Sequence, residues 1–235
     1  MIRPRPPKKL LLKSKKNTTD MNLEVKICGL DRAESVDVAV KHGAAYTGFI
    51  FYPPSPRNLT PEDAAALIAR VPENVKRVGL FVDPTDAEIE AVLDNSQLDL
   101  IQLHGAETSA RVQEIKQLAR LPAMKVIKLT SKANLAKIAD YYDSADCLLF
   151  DAKPPADMSN ALPGGNALAF DWSLLRDVNI SLPWMLAGGL TPENLNEAVT
   201  TSGATAIDVS SGVEDTPGFK NLNKIIEFLA AAKMN

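Results

Sequence analysis

The chain is poor in the residues that build cross-links and metal centres. Two cysteines, Cys28 and Cys147, stand in 235 residues. That is too few for a disulfide framework, and it fits a reducing compartment, the cytoplasm, in which a thiol stays free for chemistry. Histidine is equally scarce. His42 and His104 have no carboxylate cluster near them in sequence, so the chain offers no zinc or iron site and no metal is expected. No uninterrupted apolar stretch approaches the roughly 20 residues of a membrane helix, which excludes a membrane-spanning helix. Leu10-Leu11-Leu12 is too short for the apolar region of a signal peptide.

Positive charge is also outnumbered over most of the chain. Residues 1–20 hold seven of the 26 Lys and Arg and one of the 29 Asp and Glu, which leaves that segment at +6 and residues 21–235 at −9. So acidic a body repels a polyanion, and nucleic acid is not expected as a partner; an anionic substrate must be met by local positive features. The basic segment, with Pro4, Pro6, Pro7 and lysines from Lys8 to Lys16, has no helical apolar stripe. It reads as a disordered or loosely attached tail, 1–20, ahead of a single domain, 21–235. It is either an upstream extension before a start at Met21 or a targeting segment.

What is present is a repeat of short β-branched runs and longer segments of helical periodicity. The runs are Leu23 to Cys28, Tyr46 to Phe51, Val75 to Val82, Leu98 to Leu103, Met124 to Leu129, Asp146 to Asp151, Trp184 to Ala187 and Ala206 to Val209. Helices are expected at Arg32 to Lys41, Pro61 to Val71, Thr85 to Asn95, Thr108 to Arg120, Lys132 to Tyr142, Trp172 to Asp177 (the weakest), Pro192 to Thr201 and Phe219 to Ala232. Thr60-Pro61-Glu62 and Thr191-Pro192-Glu193 each set a capping hydroxyl before Pro at the first helical position. Eight such units favour an α/β fold closed as a single (β/α)₈ barrel; an open doubly wound sheet would show the same alternation.

In a parallel barrel every strand ends at one face, so strand-end residues converge however far apart they lie in sequence. Cys28, Arg57, His104, Asp151, Gly188-Gly189 and Ser210-Ser211-Gly212 all lie at or just past predicted strand ends. Alternation places Lys26 on the face of Cys28, where an ammonium favours a thiolate; the competing reading is a small buried apolar residue. Cys147 opens its strand at the other end and is expected to be inert. Asp151 closes the apolar run Cys147-Leu148-Leu149-Phe150, where burial raises proton affinity, unless it only accepts loop N–H bonds or pairs with Lys153. Asp208, followed at once by Ser210 and Ser211, reads as a loop-organising residue. The glycine-bearing loops after the last two strands suit a phosphate, and Arg57 on the stiff Pro53-Pro54-Ser55-Pro56 loop suits a carboxylate. Lys153 to Ala169, rich in Pro, Gly and Asn, is expected to be a mobile functional loop.

Lys26-Ile27-Cys28-Gly29-Leu30, Phe51 to Arg57, Gln102-Leu103-His104-Gly105, Leu186 to Leu190 and Asp208 to Glu214 together closely resemble the phosphoribosylanthranilate isomerase family, in order from about Met21 to the C-terminus. The resemblance implies a (β/α)₈ barrel, monomeric or homodimeric, that carries out an Amadori rearrangement of a phosphorylated small molecule in tryptophan biosynthesis with no metal or organic cofactor. It makes Cys28 the general base and Asp151 the general acid. Arg57 would hold the anthranilate carboxylate and Gly188, Gly189, Ser210 and Ser211 the phosphate, with His104 and Gly212 completing the substrate-binding set. Where the family continues Asp-Thr or Asp-Ser, this chain has Asp151-Ala152, and Pro163-Gly164-Gly165 matches a glycine segment that Asn166-Ala167-Leu168 then leaves. Indole-glycerol-phosphate synthase, a barrel of the same pathway, relies on lysine and glutamate groups and fits Cys28 with Asp151 poorly. A barrel that binds a phosphorylated ligand without catalysis is the reading from another class.

Overall fold

A computed structural model describes residues 23–153 and 162–234. The expectations for the tail, 1–20, and for most of the loop between Lys153 and Leu162 fall outside the described residues. Eight parallel strands close on themselves in sequential order: β1 Glu24–Cys28, β2 Tyr46–Phe51, β3 Lys76–Phe81, β4 Leu100–Leu103, β5 Ala123–Leu129, β6 Cys147–Ala152, β7 Trp184–Leu186 and β8 Ala206–Val209. Pairing of β1 with β8 completes the ring, so the open-sheet alternative is set aside. The barrel is wrapped by α1 Ala33–His42, α2 Pro61–Ile68, α3 Asp86–Asn95, α4 Ser109–Ala119, α5 Leu195–Ser202 and α6 Leu222–Ala232. None of the described helices is long and apolar enough to cross a membrane.

The strands are buried on both faces, which is why they read as continuous apolar runs rather than alternating ones. Outward-facing side chains such as Ile27, Phe49, Ile101, Ile127 and Phe150 pack under the helices. Inward-facing Tyr46, Val78, Leu100, Met124, Cys147 and Met185 fill the lower barrel, and Cys28, Ile50 and Leu80 form a small apolar layer nearer the C-terminal mouth. Each aliphatic or aromatic side chain taken fully out of water contributes about 1.5–3 kcal/mol. Helix starts follow the expected chemistry at Thr60, whose hydroxyl accepts from the Asp63 N–H with Pro61 at the first position, and at Thr85, which forms a reciprocal capping box with Glu88.

Four expected helices differ from the structure. Lys132–Tyr141 is 3₁₀ rather than α-helical; its apolar residues Leu135, Ile138 and Tyr141, spaced by three, fall on one edge only at three residues per turn. The weak sixth helix is a single 3₁₀ turn, Trp172–Leu175. The Thr191-Pro192 cap is not used: α5 starts three residues later, and Asn194 spends its side chain closing the loop, accepting from Thr191 N–H and donating to the Gly189 carbonyl. Phe219 and Lys220 are not helical but pair with Glu214–Thr216 as a hairpin, β10 against β9. Pro217-Gly218 makes the turn, Gly218 at φ +84°, and α6 begins after Asn221, whose side-chain oxygen accepts from Asn223 and Lys224 N–H.

A buried ion pair ties the mouth of the barrel together on the β4–β5 side. Lys125 Nζ lies 2.6 Å from Glu107 Oε2 and also donates to the Gly105 carbonyl, while Glu107 Oε1 accepts from the Asp83 and Gly105 N–H groups. Both side chains are almost wholly buried, and removing one partner leaves the other charge uncompensated, at a cost of about 3–5 kcal/mol. Glu107→Gln is therefore expected to lower the unfolding free energy by about that amount in urea titration; a loss under about 1 kcal/mol would show that the pair does not hold this rim.

Candidate active site

The C-terminal mouth opens into a cleft of about 770 Å³, counting its open side. All the residues singled out from the sequence line it: Cys28 from β1, Arg57 after β2, His104 after β4, Asp151 from β6, Gly188 and Gly189 after β7, and Ser210, Ser211 and Gly212 after β8. Cys147, in contrast, belongs to the apolar filling of the opposite end, where burial pushes its thiol far above the ordinary range.

Cys28 and Lys26 do lie on one face, but the electrostatics differ from the simple expectation. Lys26 is fully buried and donates to Asp208 Oδ1 at 2.9 Å, across the β1–β8 register that sets the two residues side by side. Burial alone pulls the Lys26 ammonium down, and Asp208 together with Cys28 outweighs it, so the net shift is upward. For Cys28, burial pushes the thiol up, Lys26 pulls it down, and Asp208 pushes it up again; the net shift is upward. Asp208 is thus not chiefly a loop organiser. It is a β8 carboxylate inside the cleft that neutralises the lysine meant to stabilise the thiolate. Alternation on β1 was enough to pair Lys26 with Cys28, but the carboxylate comes from a neighbouring strand whose register the sequence does not print.

Asp151 accepts from the Ala152 N–H with Oδ1 at 2.8 Å. Its Oδ2 lies 3.3 Å from His104 Nε2. That contact is close but not aligned as a hydrogen bond, and His104 Nε2 has no hydrogen-bond partner among the described residues. Gly164 packs directly on this pair: a Cβ there would sit 2.5 Å from His104 Cε1 and 2.9 Å from Asp151 Oδ2. The glycine of the Pro163-Gly164-Gly165 segment is therefore required by close approach. Gly165 crosses Arg57, whose Nη2 donates to the Gly165 carbonyl at 3.4 Å.

Arg57 is buried, not solvated, and is held by a residue the sequence reading did not single out. Glu214 takes its Nε and Nη2 in a two-pronged pair, both at 2.7 Å, leaving Nη1. Lys220 joins the same carboxylate at 2.5 Å and donates to the Ser210 carbonyl and hydroxyl. Burial works against both Glu214 and Lys220. It is outweighed for Glu214, which the two cations hold below the usual carboxylate range, and it prevails for Lys220, which is pulled down. Reading residues from Phe219 onward as helix hid Lys220; the Pro217-Gly218 turn was the signal that a hairpin, not a helix, presents it. Among the described residues no group of three or more His, Cys, Asp or Glu could hold a metal ion.

Comparison with known proteins follows the same outline. The family model for N-(5'-phosphoribosyl)anthranilate (PRA) isomerase matches residues 25–231. The chain belongs to that family. The N-(5'-phosphoribosyl)anthranilate isomerase of Paramagnetospirillum magneticum is 54% identical over 213 residues, covering 91% of this chain and 98% of the relative. The phosphoribosyl anthranilate isomerase of Thermotoga maritima superposes with a TM-score of 0.80 at 34% identity, over 91% of this chain and all of the other. A phosphoribosyl anthranilate isomerase solved in complex with reduced 1-(o-carboxyphenylamino)-1-deoxyribulose 5-phosphate superposes with a TM-score of 0.77 at 33% identity, over the same shares.

With the Cys28 thiol raised, thiolate is the minority form at neutral pH and grows tenfold per unit until the raised pKa is reached. Iodoacetamide labelling of Cys28, followed by peptide mapping, is expected to accelerate with pH through and beyond about 8.5, the ordinary thiol value. Labelling that levels off near neutrality would show that Lys26, not burial, decides the ionisation.

Proposed function

We propose that the chain isomerises N-(5-phosphoribosyl)anthranilate to 1-(2-carboxyphenylamino)-1-deoxyribulose 5-phosphate, an Amadori rearrangement of tryptophan biosynthesis. The observation that carries the reading is the meeting of Cys28 and Asp151, on strands β1 and β6, in one cleft that also holds Arg57 and two glycine-bearing loops.

The phosphate is held by backbone N–H groups of Gly188-Gly189 and Ser210 to Gly212, the loops after the seventh and eighth strands, the second running into the 3₁₀ turn Ser211–Val213. Lys220 holds Ser210 from below and adds positive charge. At the other end of the substrate, Arg57 Nη1 takes the anthranilate carboxylate, its guanidinium already oriented by Glu214, so little ordering remains to be done on binding. His104 lines the wall beside Asp151.

Asp151 donates a proton to the ribose ring oxygen. The bond from that oxygen to C1 breaks, and the anthranilate nitrogen lone pair forms the Schiff base. Cys28 thiolate then removes the C2 proton; the electron pair forms the C1–C2 double bond of an enolamine, and the nitrogen becomes neutral again. Ketonisation carries a proton from the C2 hydroxyl to C1. Nothing is oxidised overall, and Cys28 and Asp151 regain their starting protonation by exchange with solvent. A raised thiol pKa makes thiolate scarce but makes each thiolate a stronger base, which suits abstraction from carbon. The free thiols suit a reducing cytoplasm.

Phosphoribosylanthranilate generated in situ tests the proposal: the purified protein is expected to quench its fluorescence without releasing carbon dioxide. Cys28→Ser and Asp151→Asn are each expected to lose about 10²–10⁴-fold in turnover. A wild-type protein that binds inorganic phosphate but leaves the fluorescence unchanged would instead support a non-catalytic phosphate-binding barrel. Near-normal turnover by Asp151→Asn would remove that residue as the acid.

A further inference from the structure

Gln102 is wholly buried on β4, and neither its side-chain nitrogen nor its oxygen finds a hydrogen-bond partner among the described residues. Lys26, wholly buried inside the same barrel, is by contrast paired with a protein atom, Asp208 Oδ1. A buried amide left unpaired costs about 1–3 kcal/mol, and leucine or methionine would fill the same volume without that cost. The position of the amide is equally specific. Gln102 is in register with Leu80, and Leu80 with Ile50, the two apolar residues packed against Cys28. The amide therefore stands in the layer of the thiol, and it lines the same cleft.

An amide presents two donors and an acceptor side by side, so its complement must both accept and donate. A phosphate or an ionised carboxylate only accepts, and each already has positive or N–H groups elsewhere in the cleft. The arylamine nitrogen donates, but its lone pair is delocalised into the ring. A sugar hydroxyl does both. We propose that Gln102 hydrogen-bonds a hydroxyl of the opened sugar chain and so positions the substrate carbon for proton transfer to Cys28. This rests on the isomerase reading above and makes Gln102 a specificity and positioning residue of that site.

The test is Gln102→Leu together with Gln102→Met, each measured for melting temperature, for inorganic phosphate affinity and for isomerase kinetics. Because the amide has no hydrogen-bond partner to lose among the described residues, melting temperature is expected to stay level or rise, phosphate affinity to stay unchanged, and kcat/KM to fall on the order of 10- to 100-fold. A folded variant with wild-type kcat/KM would overturn the inference while leaving the isomerase reading intact. Failure of both variants to fold, or parallel losses of stability and phosphate affinity, would show the amide to be structural and overturn it as well. Absence of turnover by the wild-type protein refutes the isomerase reading itself, a separate result.

Discussion

Closure of the sheet is the constraint on which the remainder of the structure depends. Eight parallel strands can only satisfy their edges by pairing β1 with β8, and once they do, every strand delivers its C-terminal residue to the same rim. The polymer is then free to take chemistry from anywhere along its length. Cys28 and Asp151 lie more than a hundred residues apart and open into one cavity because both close strands of one ring.

Side chains fill the lower barrel, and the charged groups buried around the cleft above it pair with one another. Lys26 meets Asp208, Lys125 meets Glu107, and Glu214 bridges Arg57 and Lys220. Buried pairs of this kind add little to stability over an apolar filling, since desolvation offsets most of the attraction. Their contribution is positional. Glu214 fixes the guanidinium of Arg57 and, through Lys220, the loop at Ser210; Glu107 and Lys125 fix the end of β4 that carries Gln102 and His104. The same desolvation acts on Cys28, where it exceeds the pull of a lysine already neutralised by Asp208. Family membership and this arrangement support one another, because the segments that carry the resemblance are the ones that build the cleft.

The sequence by itself determined the repeat, and with it the fold. Strand positions from β1 to β8 fall within two residues of the apolar runs, because a strand covered on both faces is built mostly of apolar residues. It also determined the strand-end residues, since they sit where each run stops. What it could not determine is anything that depends on register or on which neighbour a side chain meets. Asp208 was legible as a strand-end acid but not as the partner of Lys26, and Lys220 was lost in an apolar pattern that continued into α6. Gln102, a polar residue in an apolar run, was legible only as part of a segment that carries the resemblance, until the barrel closed around it and left its amide with no hydrogen-bond partner among the described residues. Local sequence fixes which residues face inward; only the tertiary structure, by setting one strand against the next, decides what each of them faces.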